Sequence, residues 1–171
     1  MFQQWLAQIL DPGLSGLEVI DIQVQDAGLL MTCATNSLGA LCPTCQHISR
    51  RVHSRYSRTL LDVPLRKGQV RVQLQVRRFF CDVSNCPKRI FGERVTRFAQ
   101  AYARRTESLN DWLRPLVYAS SANCGSRLAQ RYGVAISTNT LLRLVRQNGP
   151  AVPKAVGVVG IDDWAFRKSR R

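Results

Sequence analysis

A chain of 171 residues with 45% hydrophobic content is long enough for one or two small domains with a real core. Its 25 Lys and Arg against 11 Asp and Glu give a formal charge of +14 and a sequence pI near 10.6, which point to a polyanionic partner, nucleic acid by default. The longest apolar run, 155–161, falls far short of the ~18 residues of a membrane span, and the N-terminal MFQQWLAQIL lacks the marks of a secretory signal. A cytoplasmic protein with no membrane partner is therefore expected, and in that compartment cysteines stay reduced.

The charge is concentrated. Residues 1–45 carry no Lys or Arg and four acids; residues 46–105 carry fifteen basic residues and three acids; residues 106–171 carry ten and four. Most of the basic residues are arginine, whose planar fork suits phosphate. The binding surface is thus expected to begin after residue 45.

In chain order, residues 2–10 read as a short amphipathic helix with Trp5, Ile9 and Leu10 on its apolar side, stopped by Asp11-Pro12-Gly13. LEVIDIQVQ alternates, DAG turns and LLMTCA returns, which predicts a β-hairpin over 17–34. A compact β unit follows over 42–91. Within it VRVQLQVRRFF alternates with period two, Val70, Val72, Leu74 and Val76 on one face and Arg71, Gln73, Gln75 and Arg77 on the other, with Arg78 next in line. RRVHSRYSRTLLDVP places Arg50, Arg51, Arg55 and Arg58 with His53 and Tyr56 in a second extended stretch. Basic ribbons carrying an aromatic suit phosphate contacts.

Two cysteine pairs frame that unit. LCPTCQH holds Cys42 and Cys45, and FFCDVSNCPKRIF holds Cys81 and Cys86. Such spacings let a tight knuckle aim two thiolates at one tetrahedral zinc. Four protein ligands leave no open position, so the zinc is expected to be structural. His47 and His53 are competing ligands; each reads more simply as a surface or DNA-facing residue. Cys33 and Cys124 read as small core residues.

From Arg104 to Asn148 the pattern turns helical. Leu109, Trp112, Leu113, Leu116 and Val117 form a core stripe, with Pro115 placed to kink or shorten the helix. A second helix is predicted over 126–132, with Gly133 as its C-cap, Val134-Ala135-Ile136 as a turn and Ser137 as the N-cap of a third helix running to Gln147. That is the helix-turn-helix pattern. Its second helix would read bases with Thr138, Asn139, Thr140 and Arg143, while Arg127, Arg131 and Arg146 sit near phosphates. Leu141, Leu142, Leu144 and Val145 would face the core or the neighbouring helix. NGPAVPK, 148–154, reads as a linker, and 156–161 as an apolar strand ending at Asp162 and Asp163.

The order CPTC, VHSRYSRTLLDVP, VRRFFCDVSNCPKRIFGER, SRLAQRYGVAISTNTLLRLVR and VVGIDDWAF resembles bacterial insertion-sequence transposases of the ISL-three type. The resemblance covers nearly the whole chain and is weakest over 1–30. It implies a four-cysteine zinc finger and a helix-turn-helix that recognise the element's terminal inverted repeats in double-stranded DNA, followed by an RNase-H-like DDE domain that cuts and joins DNA with two metal ions. It implies that Cys42, Cys45, Cys81 and Cys86 bind Zn²⁺, and that Asp162, with Asp163 as second choice, matches the first catalytic carboxylate. Two metal ions need carboxylates from several elements. One carboxylate position does not supply them, so Mg²⁺ or Mn²⁺ is expected only in a full-length enzyme, and this chain is expected to be truncated and inactive alone.

The expected architecture is α+β. It comprises an N-terminal helix and β-hairpin (1–38), a β-rich zinc-finger domain (39–95), an all-α helix-turn-helix domain (100–148), and a linker with the orphan first strand of the catalytic domain (149–171). A homodimer or the full-length transposase is the expected protein partner, and the bacterial nucleoid the expected location. The competing reading is a zinc-ribbon protein-interaction or regulatory module without DNA-cleaving activity.

Overall fold

The computed structural model describes residues 16–66 and 68–147. The expected helix at 2–10, linker at 148–154, strand at 156–161 and carboxylates Asp162 and Asp163 lie outside those residues. The described part is mixed α and β. Strands β1 (Leu17–Gln25) and β2 (Gly28–Thr35) form the expected antiparallel hairpin, closed by Asp26-Ala27. A small ribbon of β3 (Ala40–Leu41) and β4 (Ile48–Ser49) follows. The long strands β5 (Val52–Leu65) and β6 (Gly68–Phe80) pair antiparallel, and β7 (Ile90–Gly92) closes the sheet.

Stretches 17–35 and 52–92, read separately in the sequence, share one sheet. β6 is its centre. β5 lines one edge of it throughout, while β2 runs parallel along the first half of the other edge and β7 antiparallel along the last three residues. The parallel pairing needs a long crossover, which the ribbon and β5 supply. It brings the start of β2 close to the start of β6. A Cβ on Gly28, whose φ is 144°, would stand 2.0 Å from the Gln69 carbonyl oxygen, so only glycine fits.

The alternation of β6 makes the core. Val70, Val72, Leu74 and Val76 are buried, as expected, against Val19, Met31, Cys33 and Leu60, and Phe98 and Ala99 from the segment after β7 cover them. Burial of these apolar side chains contributes on the order of 1.5–3 kcal/mol each.

A second core belongs to three helices, α1 (Glu107–Tyr118), α2 (Ala122–Arg131) and α3 (Thr138–Gln147). Leu109, Leu113, Val117, Ala122, Ala129, Val134, Leu141 and Leu144 form it, with Leu61 and Val63 of β5 packed alongside. Pro115 does not end α1, which runs three residues further and stops at Ala119. α2 starts four residues before the expected Ser126, because the Ser121 hydroxyl accepts from the Cys124 amide at 3.2 Å and caps it there. Gly133 at φ 82° turns the chain, and Ser137 caps α3 by accepting from the Thr140 amide at 3.3 Å. Leu142 departs from expectation: it is 38% exposed, while Leu141 and Leu144 are buried. No helix among the described residues is long and apolar enough to cross a membrane.

Candidate metal centre and nucleic-acid interface

Two knuckles meet at one end of the sheet. β3 leads into Cys42 and β4 leaves from the first knuckle; β6 leads into Cys81 and β7 follows the second. The first is tightened by the Cys42 amide donating to the His47 carbonyl at 2.9 Å and the Gln46 amide donating to the Cys42 carbonyl at 2.9 Å, with Gln46 in the left-handed region at φ 58°. In the second, the Cys81 amide donates to the Arg89 carbonyl at 2.8 Å and the Cys86 amide to the Val83 carbonyl at 3.1 Å. Stacked Phe79 and Phe91, 6.0 Å apart, pack with Cys42, Cys81 and Cys86.

The four sulfurs converge. Cys42 lies 3.9 Å from Cys86 and Cys45 3.6 Å from Cys81, and all four ligand atoms fall within 4.8 Å of one another. A tetrahedral zinc with Zn–S bonds of about 2.3 Å requires sulfurs roughly 3.8 Å apart. Protonation preferences within the cluster diverge. At Cys42 burial opposes ionisation, but the amides of Cys45 and Thr44, with hydrogen bonds from the Cys45 and Cys81 side chains, together outweigh it and bring the thiol to about 6. At Cys81 the Val83 amide favours the thiolate, yet burial and the neighbouring cysteines push it up to about 12. Four thiolates this close repel one another, and a bound dication offsets that repulsion. The donor set therefore fits a closed structural zinc. His47 and His53 stand outside the cluster: His47 is exposed, and His53 packs edge-on against Phe80 at 4.8 Å with Nδ1 2.9 Å from the Ser54 hydroxyl. Cys33 is buried under the sheet and Cys124 half-buried in α2.

The basic residues of β5 and β6 do not share one face. Cross-strand partners point the same way. Tyr56 and Arg58 stand beside Val76 and Leu74, and Arg78 continues that face; Arg55 stands beside Arg77 on the opposite one. Arg78 stacks 4.7 Å over the Tyr56 ring. Arg77 is drawn inward: it holds Glu93 at 2.8 Å, the Thr35 hydroxyl at 2.8 Å and both Ser37 oxygens at 2.9 Å. Arg58 donates to the carbonyls of Gln100 and Ala103. Arg51 pairs with Asp82 and lies 4.4 Å over the Phe80 ring. Arg50 and Arg55 are exposed.

On the helices, Arg127, Arg131, Asn139, Arg143 and Arg146 are exposed. The Thr138 hydroxyl donates to Asn123 at 3.0 Å, bridging α3 to the start of α2, and the Thr140 hydroxyl accepts from Arg143 at 3.3 Å. Arg143 also lines a cleft of about 590 Å³ between α3 and residues 101–105, where Arg104 and Arg105 meet it. Burial, and then Arg143, hold the Arg105 guanidinium below its usual value. A second groove, of about 230 Å³, runs along Tyr56, Arg58, Arg78, Lys88, Arg94 and Tyr102. Lys88, Arg94, Tyr102, Arg104 and Arg105 were missed by sequence reasoning. For the four basic residues the only signal is net charge, and for Tyr102 there is none, since the stretch 94–105 has no period of its own.

Neither the curated proteins nor the solved structures contain a match to the chain. Residues 39–86, which carry all four converging cysteines, match the family model of the zinc-finger of transposase IS204/IS1001/IS1096/IS1165, so this segment is similar to a transposase zinc ribbon.

Proposed function

We propose that the chain is the DNA-binding N-terminal part of an insertion-sequence transposase, which recognises the terminal inverted repeats of its element in double-stranded DNA. The observation that carries this reading is the transposase zinc-finger match over 39–86, on a segment whose four cysteines meet the geometry of a zinc site. Zinc pins the ribbon end of the sheet. α2, its turn and α3 act as a helix-turn-helix, with α3 in the major groove, where Asn139 and Arg143 offer the side chains that pair with adenine and guanine. Thr138 and Thr140, already bonded locally, position that helix. Arg78, Arg127, Arg131 and Arg146 neutralise phosphates, with Arg50 and Arg55 on the flanks.

A second copy of the chain or the full-length transposase is the proposed protein partner. Asp162, with Asp163 as second choice, is the proposed first metal-binding carboxylate of the catalytic domain, where Mg²⁺ or Mn²⁺ acts in a full-length enzyme. Salt titration of binding to a duplex carrying the element's end tests the DNA reading. A steep fall of log K with log salt is expected, because phosphate contacts release counterions. Absence of binding at low salt defeats the proposal in favour of a protein-interaction module.

A further inference from the structure

Between the sheet and α1 the chain makes an exposed turn, and Tyr102 stands at its tip. The residue is 96% exposed and its backbone takes φ 62°, a conformation that side chains with a Cβ rarely adopt. The turn is nevertheless tied down on both sides. The Ala103 amide donates to the Gln100 carbonyl at 3.1 Å, Arg58 reaches across from β5 to the carbonyls of Gln100 and Ala103, and the Leu61 amide donates to the Arg104 carbonyl at 3.0 Å. An aromatic ring held out in water on a fixed, unfavourable backbone has no role in the packing of this fold.

Its surroundings say what would meet it. Tyr102 lines both basic clefts at once. On the sheet side lie Arg78, Lys88 and Arg94; on the helix side lie Arg104, Arg105 and Arg143. Among the described residues no carboxylate lines the helix-side cleft, and Glu93 on the sheet side is already held by Arg77. Arg104, Arg105 and Arg143 together leave a positive potential in that cleft that an anion relieves.

We propose that Tyr102 is a third DNA-contacting element: a neutral wedge that packs against the sugars or bases of duplex DNA while the strand's phosphates pass from one basic cleft into the other. This rests on the DNA-binding reading above. The two clefts then form one path, and the segment 100–105 sets the spacing between what the ribbon touches and what α3 reads. Aromatic stacking and wedging supply the non-ionic part of such contacts.

The test uses the full zinc-loaded chain and, as probe, a labelled mixed-sequence duplex beside a single strand of the same length. Tyr102→Ala is expected to lower duplex affinity about tenfold, since a lost stacking contact is of that order. The slope of log K against log salt should stay as in the wild type, because no phosphate contact is removed. Tyr102→Phe should bind like the wild type, and the melting temperature of Tyr102→Ala should not move. Arg78→Ala, which removes a phosphate partner beside Tyr102, is the control: it should weaken binding and lower the slope by about 1. Wild-type affinity in Tyr102→Ala, with Arg78→Ala weakened, overturns the wedge and leaves the DNA reading standing. A wild type that binds no duplex overturns both. Loss in Tyr102→Ala confined to the single strand overturns the duplex assignment.

Discussion

The Thr106 hydroxyl donates to the buried Asp62 carboxylate at 2.5 Å and accepts from the Leu109 amide at 3.1 Å. One side chain thus caps α1 and fastens it to β5. Backbone bonds on either side reinforce the join: the Leu61 amide donates to the Arg104 carbonyl and the Thr106 amide to the Leu61 carbonyl, each at 3.0 Å. The helical unit is sewn to the free edge of the sheet, so the orientation of α3 relative to the zinc ribbon is fixed by this seam.

Thr106→Val should therefore cost more than an ordinary lost cap. The cap alone is worth ~1 kcal/mol, and weakening the hydrogen bonding of a buried carboxylate adds ~1–3 kcal/mol. The check is urea unfolding followed by circular dichroism. Unchanged stability would show that the seam does not depend on Thr106.

Metal removal should act mainly on the ribbon end. Cys42, Cys45, Cys81 and Cys86 join the short strands β3, β4 and β7 to the end of β6, and the buried cluster around them adds only Phe79 and Phe91 to the cysteines. Strands of two or three residues are not stable by themselves, and a structural zinc supplies folding free energy outright. Chelation should shift the backbone amide resonances of residues 40–50 and 80–92 and lower the melting temperature, while α1 to α3 keep their helicity. A far-ultraviolet spectrum and melting curve indifferent to chelator would remove the zinc assignment.

Period and spacing made much of this legible. The two-residue alternation of β6 named its buried face, and the cysteine spacings named the four residues that converge. Ser137 and Gly133 were readable because capping and turning are local chemistry. The parallel pairing of β2 with β6 was not readable, since its partners lie some forty residues apart and neither strand's pattern encodes the other. The start of α2 was missed because Ser121 caps it five residues ahead of Ser126, where the polar run opens. The split of the basic residues between two faces follows from the strand period itself. Arg55 and Arg58, like Arg77 and Arg78, differ by an odd number of positions, so the strand sends them to opposite sides.

Adjacent arginines should accordingly behave differently. Arg77 is 19% exposed and its partner Glu93 4%, and the pair ties the ends of β2, β6 and β7 together. Arg77→Ala removes the cationic partner of a buried carboxylate, which keeps only the Thr35 hydroxyl and the backbone amide of residue 77, and should cost ~3 kcal/mol of stability. Arg78→Ala loses only an exposed stacking contact, ~0.5–1 kcal/mol, but should lower the salt slope of DNA binding by about 1. Measuring denaturation and salt dependence for both variants separates the roles. If Arg77→Ala unfolds like the wild type and reduces the salt slope instead, its assignment to the fold is wrong.

Cys33 gives a stability that depends on pH in the alkaline direction. It lies fully buried under the sheet, and burial, helped by the charge of Asp62, pushes its thiol from 9.0 up to about 12. The folded state thus holds the proton more tightly than the unfolded state. By linkage its contribution is fully present below 9.0 and is lost as the pH rises from there toward about 12. Cys33→Ala removes the titrating group at the expense of a small cavity, so it should lower stability at neutral pH yet lose less of it between pH 9 and the upper limit of the window. Urea midpoints of both proteins, taken across that range with zinc present, give the comparison. Parallel curves would mean that the thiol titrates no differently in the fold than in the open chain.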